Sequence, residues 1–115
     1  MSIAKQAEYA TASDLAALAS GELDVDLKTL PGKKIKIKKL SIGEIADIMK
    51  VAKDNDLEQA IWMTFRGIVQ PKISVEEVRK WPPSVLMEIA IAVGKYSGMD
   101  RKSMEQTTNL LGIES

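Results

Sequence analysis

Residues 68–83, Ile-Val-Gln-Pro-Lys-Ile-Ser-Val-Glu-Glu-Val-Arg-Lys-Trp-Pro-Pro, constrain the path of this chain more than any other segment. A helix arriving at Ile68 and Val69 cannot continue through Pro71, because proline lacks the amide hydrogen and its ring clashes with the preceding turn. Ser74 starts a new helix. Glu77, three residues on, completes a capping box, and Ile73 is set to meet Val78 as a hydrophobic staple. Trp81 and the Pro82-Pro83 pair close that helix after about two turns and re-aim the chain into another. The segment reads as a small helical corner with its joints written into it.

The rest of the chain is read around that corner. At 115 residues it is most simply one domain with one modest core. Residues 1–10 read as a loose N-terminal tail, 11–98 as a single helical domain, and 99–115 as a weakly ordered tail whose only periodicity is Met104 and Leu111. Thr11 to Gly21 suits a short Ala-rich helix capped by Thr11 or Ser13, with Leu15 and Leu18 on one face and Gly21 as the stop. The period then switches to two. Leu23, Val25 and Leu27 alternate with Asp24, Asp26 and Lys28, and Ile35 and Ile37 alternate with Lys34, Lys36 and Lys38, with Leu30-Pro31-Gly32-Lys33 as the turn.

A two-residue loop at Pro31-Gly32 would set Leu27 against Lys36 and Val25 against Lys38. An odd loop, for instance three residues with Gly32 left-handed, sets the apolar residues together and brings Asp24 and Asp26 near the lysines. From Leu40 onward the pattern is helical. Leu40-Ser41-Ile42-Gly43-Glu44-Ile45 repeats the staple and capping-box signal, and Ile42, Ile45, Met49 and Ala52 form the expected apolar face. Asp54-Asn55-Asp56 is a turn that caps a helix over about 57–69, with Leu57, Ala60, Ile61, Phe65 and Ile68 as its core stripe. The last strong helix runs from about Ser84 to Tyr96, with Gly98 at its end. The expected fold is therefore mainly α: four or five helices with a two-stranded hairpin at about 23–39. The two start signals stand 33 residues apart, but their flanks differ, so the spacing reflects capping chemistry and not a repeat.

Catalytic chemistry finds few candidates. The chain has no histidine and no cysteine, which removes the usual neutral-pH acid–base group, His- and Cys-based metal sites, thiol chemistry and disulfides. Its glycines stand singly, so no loop cradles phosphate. Glu22, Asp24 and Asp26 lie on a strand flank without the geometry of a cation loop. The expectation is a protein that is not an enzyme and takes no cofactor or metal.

Two features remain as binding candidates. Lys33, Lys34, Lys36, Lys38 and Lys39 put five cations within seven residues. Such a cluster suits phosphate contacts or a solvated strand face that protects a sheet edge. The facing acids and the absence of interleaved aromatics favour the second reading. Sixteen basic and sixteen acidic residues cancel overall, and no secretory signal or membrane-length apolar run is apparent, consistent with a cytoplasmic protein.

The other feature is surplus apolar surface. Trp62 and Val69 share an angular position away from the stripe of their helix, Phe65 bridges the two, and Met63 points to the other side. The helix from Ser84 to Tyr96 is apolar nearly all round, with only Glu88 and Lys95 charged, so it is either the central rod of the core or partly covered by a partner. Trp62, Met63, Phe65 and Val69, with Trp81 and Met87, are the candidate partner-binding residues.

The order of a strand, Lys39-Leu40-Ser41-Ile42-Gly43-Glu44, a helix, Val69-Gln70-Pro71-Lys72-Ile73-Ser74-Val75-Glu76-Glu77-Val78, Trp81-Pro82 and an apolar helix ending Tyr96-Ser97-Gly98 resembles the tail assembly chaperones of long-tailed bacteriophages, over about residues 24–98. The resemblance implies a small, mainly helical, non-enzymatic protein of the host cytoplasm. It would bind the tape-measure protein, keep its helices soluble and help recruit tail-tube subunits. It carries over no catalytic or ligand residues. Two other classes fit the same features: a small nucleic-acid-binding regulator using the lysine-rich hairpin, and a structural tail or head–tail completion subunit.

Overall fold

The computed structural model describes residues 8–99; most of both expected tails, 1–7 and 100–115, lies outside the described residues. In chain order the elements are α1 Ala12–Ala17, β1 Glu22–Asp26, β2 Lys34–Lys38, α2 Ile42–Ala52, α3 Asp56–Gly67, β3 Ile68–Gln70, α4 Val75–Arg79 and α5 Pro83–Tyr96. The strands form one antiparallel sheet in the order β1-β2-β3. This corrects the expectation of a mainly α domain with a two-stranded hairpin: the fold is an α+β mixture with a three-stranded sheet.

The third strand has a local cause. Pro71 bars its predecessor Gln70 from the helical region, and Ile68 and Val69 are β-branched residues that suit a strand better than a helix end. The helix therefore stops at Gly67, about two residues earlier than its apolar periodicity suggests, and Ile68 is already extended (φ −85°, ψ 127°). The released residues pair with the open edge of β2, Ile68 opposite Ile37 and Gln70 opposite Lys36, across a bulge at Lys36/Ile37. The Gln70–Pro71 peptide is cis.

The hairpin pairs Val25 with Ile35 and Leu23 with Ile37, while Asp24 faces Lys36 and Asp26 faces Lys34. Leu27 N donates to Lys33 O (3.0 Å), which leaves residues 28–32 as an odd loop, longer than the three-residue case. Within it Lys33 N donates to Leu30 O (3.1 Å), and Gly32 takes φ +85°, the left-handed third position of a Pro-Gly turn.

Three helices begin with reciprocal capping boxes. Ser41 and Glu44 exchange hydrogen bonds of 2.9 and 3.1 Å, Ser74 and Glu77 of 2.8 and 3.2 Å, and Thr11 and Asp14 two of 3.0 Å. Asn55 caps α3 by accepting from Glu58 N at 3.0 Å. The staples close as the spacing requires: Leu40 and Ile45 join one core cluster, Ile73 and Val78 another. Half of the expected face of α2 holds: Ile45 and Ala52 turn to the core, while Ile42 (87%) and Met49 are exposed and Ile48 is buried instead. Ile42 is the first helical residue, and the staple leans on Ile45 one turn later.

The core has two lobes. Leu27, Ile35, Ile37, Leu40, Ile48, Ile89 and Val93 pack between the sheet, α2 and α5. Ala60, Ile61, Val78, Leu86 and Ala90 pack α3 and α4 on α5. Helix α5 belongs to both, and Trp81 packs against both. Gly67 marks the tightest contact: a Cβ there would lie 2.5 and 2.7 Å from the methyls of Val93, which is itself fully buried. Thr64, one turn earlier on α3, is also fully buried, and its hydroxyl has no hydrogen-bond partner.

Gly67→Ala should destabilise the protein by about 1–3 kcal/mol, because overpacking against an immobile Val93 outweighs the gain of up to ~1 kcal/mol in helix propensity. Combining it with Val93→Ala should cost less than the sum of the two single changes in chemical denaturation. Thr64→Val keeps the shape and removes an unpaired buried hydroxyl, so it should raise stability by about 1 kcal/mol, read as a higher midpoint in thermal melts. A lowered midpoint would show that a bound water satisfies the hydroxyl.

Candidate functional site

Helices α3 and α5 meet through small residues, Ala60 on one side and Ala90 and Gly94 on the other, and this leaves an open groove of about 530 Å³ between them. Its apolar lining includes Met63 from α3, Met87 and Ile91 from α5, and Met99 just beyond the end of α5; Asp56, Gln59 and Lys95 supply the polar rim. The Met63 methyl reaches over Gly94, 3.4 Å from where a Cβ would stand. Met63, Met87 and Met99 are unbranched and polarizable, so the lining adapts to more than one apolar shape.

The question of whether α5 is a core rod or a partner-covered helix resolves by face. Leu86, Ile89, Ala90, Val93 and Gly94 are buried. Met87 and Ile91, one turn apart on another face, remain 41% and 52% exposed.

The six candidate partner-binding residues do not form one patch. Met63 and Met87 meet in the groove. Trp62 and Phe65 make an edge-to-face pair (centroids 5.9 Å apart, planes at 87°), and Trp62 packs on the sheet lobe of the core. Val69 is half-buried in β3, and Trp81 sits against both lobes. Ile91, Gly94 and Met99 were absent from the sequence-derived set. The i, i+4 spacing of Met87 and Ile91 was the available signal.

The indole N–H of Trp62 is buried without a hydrogen bond of good geometry. Glu58, one turn back, is held in a fork by Arg79 of α4 (2.6 and 3.0 Å). That guanidinium keeps the Glu58 carboxyl below the usual range, with a smaller contribution from the approach of Trp62. The pair ties α3 to α4.

Much of the lysine cluster is engaged. Lys36 and Lys34 both pair with Asp24 (2.9 and 3.6 Å), and Lys38 pairs with Glu44 (3.2 Å). Lys36 and then Lys34 hold the Asp24 carboxyl below its ordinary value. Partial burial works against ionisation of Glu44, but the Ser41 amide and Lys38 outweigh it. Lys39 donates to Leu18 O (3.1 Å) and lies over the Tyr96 ring, 5.4 Å from its centroid. These contacts tie the hairpin to α1, α2 and α5 and leave fewer cations for phosphate. No described helix is long and apolar enough to cross a membrane.

Glu88, the one acid on α5, fastens the hairpin loop to the helix carrying the groove. It accepts from Lys28 N (2.6 Å), Thr29 N (3.1 Å) and the Thr29 hydroxyl (2.7 Å). The Thr29 hydroxyl first, then the Lys28 amide, hold its carboxyl below the ordinary range. A carboxyl depressed in the folded state stabilises above its unfolded value, near 4.3, and loses that contribution as pH falls through the folded value. Glu88→Gln should therefore melt at lower temperature than wild type at pH 7, and the gap should narrow from about pH 4.3 downward. Paired thermal melts between about pH 7 and pH 3 check this, because the other depressed carboxyls are common to both proteins and cancel.

Compared with known proteins, this chain matches no protein-family model, no curated protein and no solved structure.

Proposed function

We propose that this protein is a non-enzymatic tail assembly chaperone of a long-tailed phage, acting in the host cytoplasm on the tape-measure protein and helping to recruit tail-tube subunits. The supporting observation is the apolar groove between α3 and α5, in which Met87 and Ile91 stand open beside the half-buried Met63. A tape-measure protein offers long apolar helices. A groove of this kind takes a helix through anchors at one-turn spacing, and methionines tolerate the successive, non-identical turns of a long client. The charged outer surface keeps the complex soluble, and the same open face also permits self-association.

Met87 is the cleanest probe because it is open and lies in the groove. Trp62 is less clean, since its packing on the core means Trp62→Ala should also cost stability, on the order of 2–4 kcal/mol. The test is co-expression with a tape-measure protein, whose gene this reading places immediately downstream. Wild type should keep that protein soluble and co-purify with it. Met87→Glu should weaken the association at least tenfold, equivalent to about 1.4 kcal/mol, while moving the thermal midpoint little, as exposed substitutions do. Unchanged association in Met87→Glu would remove the groove from the interface. Sub-micromolar DNA or RNA binding at about 150 mM salt would instead favour a regulator working through the lysine-rich hairpin.

A further inference from the structure

We propose that a second copy of this chain occupies the groove between α3 and α5, giving a two-fold symmetric dimer in which Asp56 of each copy meets Lys95 of the other. This goes beyond the chaperone reading: it concerns the protein without a client and fixes a geometry that an open face alone does not.

The argument starts from the direction of the two helices. Arg79, four residues before α5 begins, holds Glu58 in the first turn of α3. Gly67, the last residue of α3, packs on Val93 late in α5. The helices therefore run the same way, and the groove has two unlike ends. Asp56 stands where both helices begin, at the Met87 end. Lys95, in the last turn of α5, stands at the other end with Met63 and Met99. Both charges are exposed, and neither enters an ion pair with a described residue.

A groove with an acid at one end and a base at the other is complementary to itself. Turned over about an axis perpendicular to its length, it presents each charge to its opposite, as an isologous contact requires. The apolar residues obey the same symmetry. Met87, Ile91 and Lys95 stand four residues apart on one stripe of α5, so Ile91 lies midway, about 6 Å along the helix from each. With the axis at Ile91, the two Ile91 side chains meet, and each Met87 lies along the aliphatic stem of the opposing Lys95. The ammonium at the tip of that stem then reaches the end of the groove where Asp56 stands. Ala90 and Gly94 keep the floor low beside this stripe, which lets the two α5 helices approach closely. The contact, made twice, covers Met87 and Ile91, the open apolar residues of this face. A foreign helix would have to supply the matching charge pattern, whereas a second copy carries it by construction. The exposed ion pairs set the register more than the affinity.

Sedimentation of the full chain without any client tests the dimer, so a negative result leaves the chaperone reading standing. The weight-average mass should rise from 12.6 kDa towards twice that value, and no further, between micromolar and millimolar protein. Ile91→Lys changes a half-exposed residue on the axis, keeps the core, and should hold the chain at the mass of one copy. Asp56→Lys and Lys95→Glu each set like charges together twice and should weaken dimerisation at least tenfold, with circular dichroism showing that both remain folded. Mixed in equal amounts, these two variants should recover the wild-type mass, because in the mixed dimer both pairs are again of opposite charge. A wild type that stays at one copy throughout the range would overturn the proposal. So would an undiminished dimer in Ile91→Lys, single charge reversals that dimerise like wild type, or a mixture of the folded variants that recovers nothing. A mass climbing past two copies would reveal a head-to-tail chain of copies and would equally overturn the two-fold contact.

Discussion

Contact between Gly67 of α3 and Val93 of α5 sets the spacing on which the rest of the molecule depends. Val93 belongs to the sheet lobe of the core, while α3 carries Ala60 and Ile61 into the second lobe. Because residue 67 has no side chain, the two helices close to a distance that any Cβ would forbid. That closeness delivers Ile68 directly to the edge of β2, where it pairs with Ile37. It also decides what happens on the other side. Helices drawn together over small residues at 60, 90 and 94 leave long side chains at 63, 87 and 91 standing above a shallow floor. The groove follows from the same contact that holds the core together.

Features governed by neighbours in sequence were legible. The boxes at Ser41 and Ser74 and the staples at Leu40 and Ile73 involve residues within five positions of each other, so local chemistry decides them. Hairpin parity was legible for a related reason, since alternation leaves only registers that put Val25 with the isoleucines. The loop was longer than the turn motif alone suggests because Glu88, sixty residues away, ties down Lys28 and Thr29. A carboxylate alone in an apolar helix was the signal for that tether, and its partners were not visible in the sequence.

What sequence reasoning missed lies where tertiary pairing competes with periodicity. Ile68 completes a respectable helical stripe, yet Pro71 and two β-branched residues release it to a strand edge that a linear reading does not see. Ile42 fits the apolar face of α2 by spacing, but that face is aimed by the Leu40–Ile45 staple, and the buried positions fall at 48 and 52. Gly67 was one solitary glycine among seven. Only the fully buried valine opposite gives it meaning.

The candidate site was legible as surplus and not as shape. A small domain with two tryptophans, six methionines and an almost wholly apolar helix has more apolar surface than one core absorbs. That argument selects residue types but not which of them end up together. The aromatic members, Trp62, Phe65 and Trp81, were the stronger candidates by size, and size is what draws the two tryptophans onto the core, with Phe65 edge-to-face on Trp62. The methionines, longer and more pliable, remain at the rim where helices diverge. Binding capacity thus falls to the residues least needed for packing, so Met87 can change with little effect on the fold while Trp81, touching both lobes, cannot. A groove built this way is open by construction, lined by apolar side chains with only a polar rim of Asp56, Gln59 and Lys95.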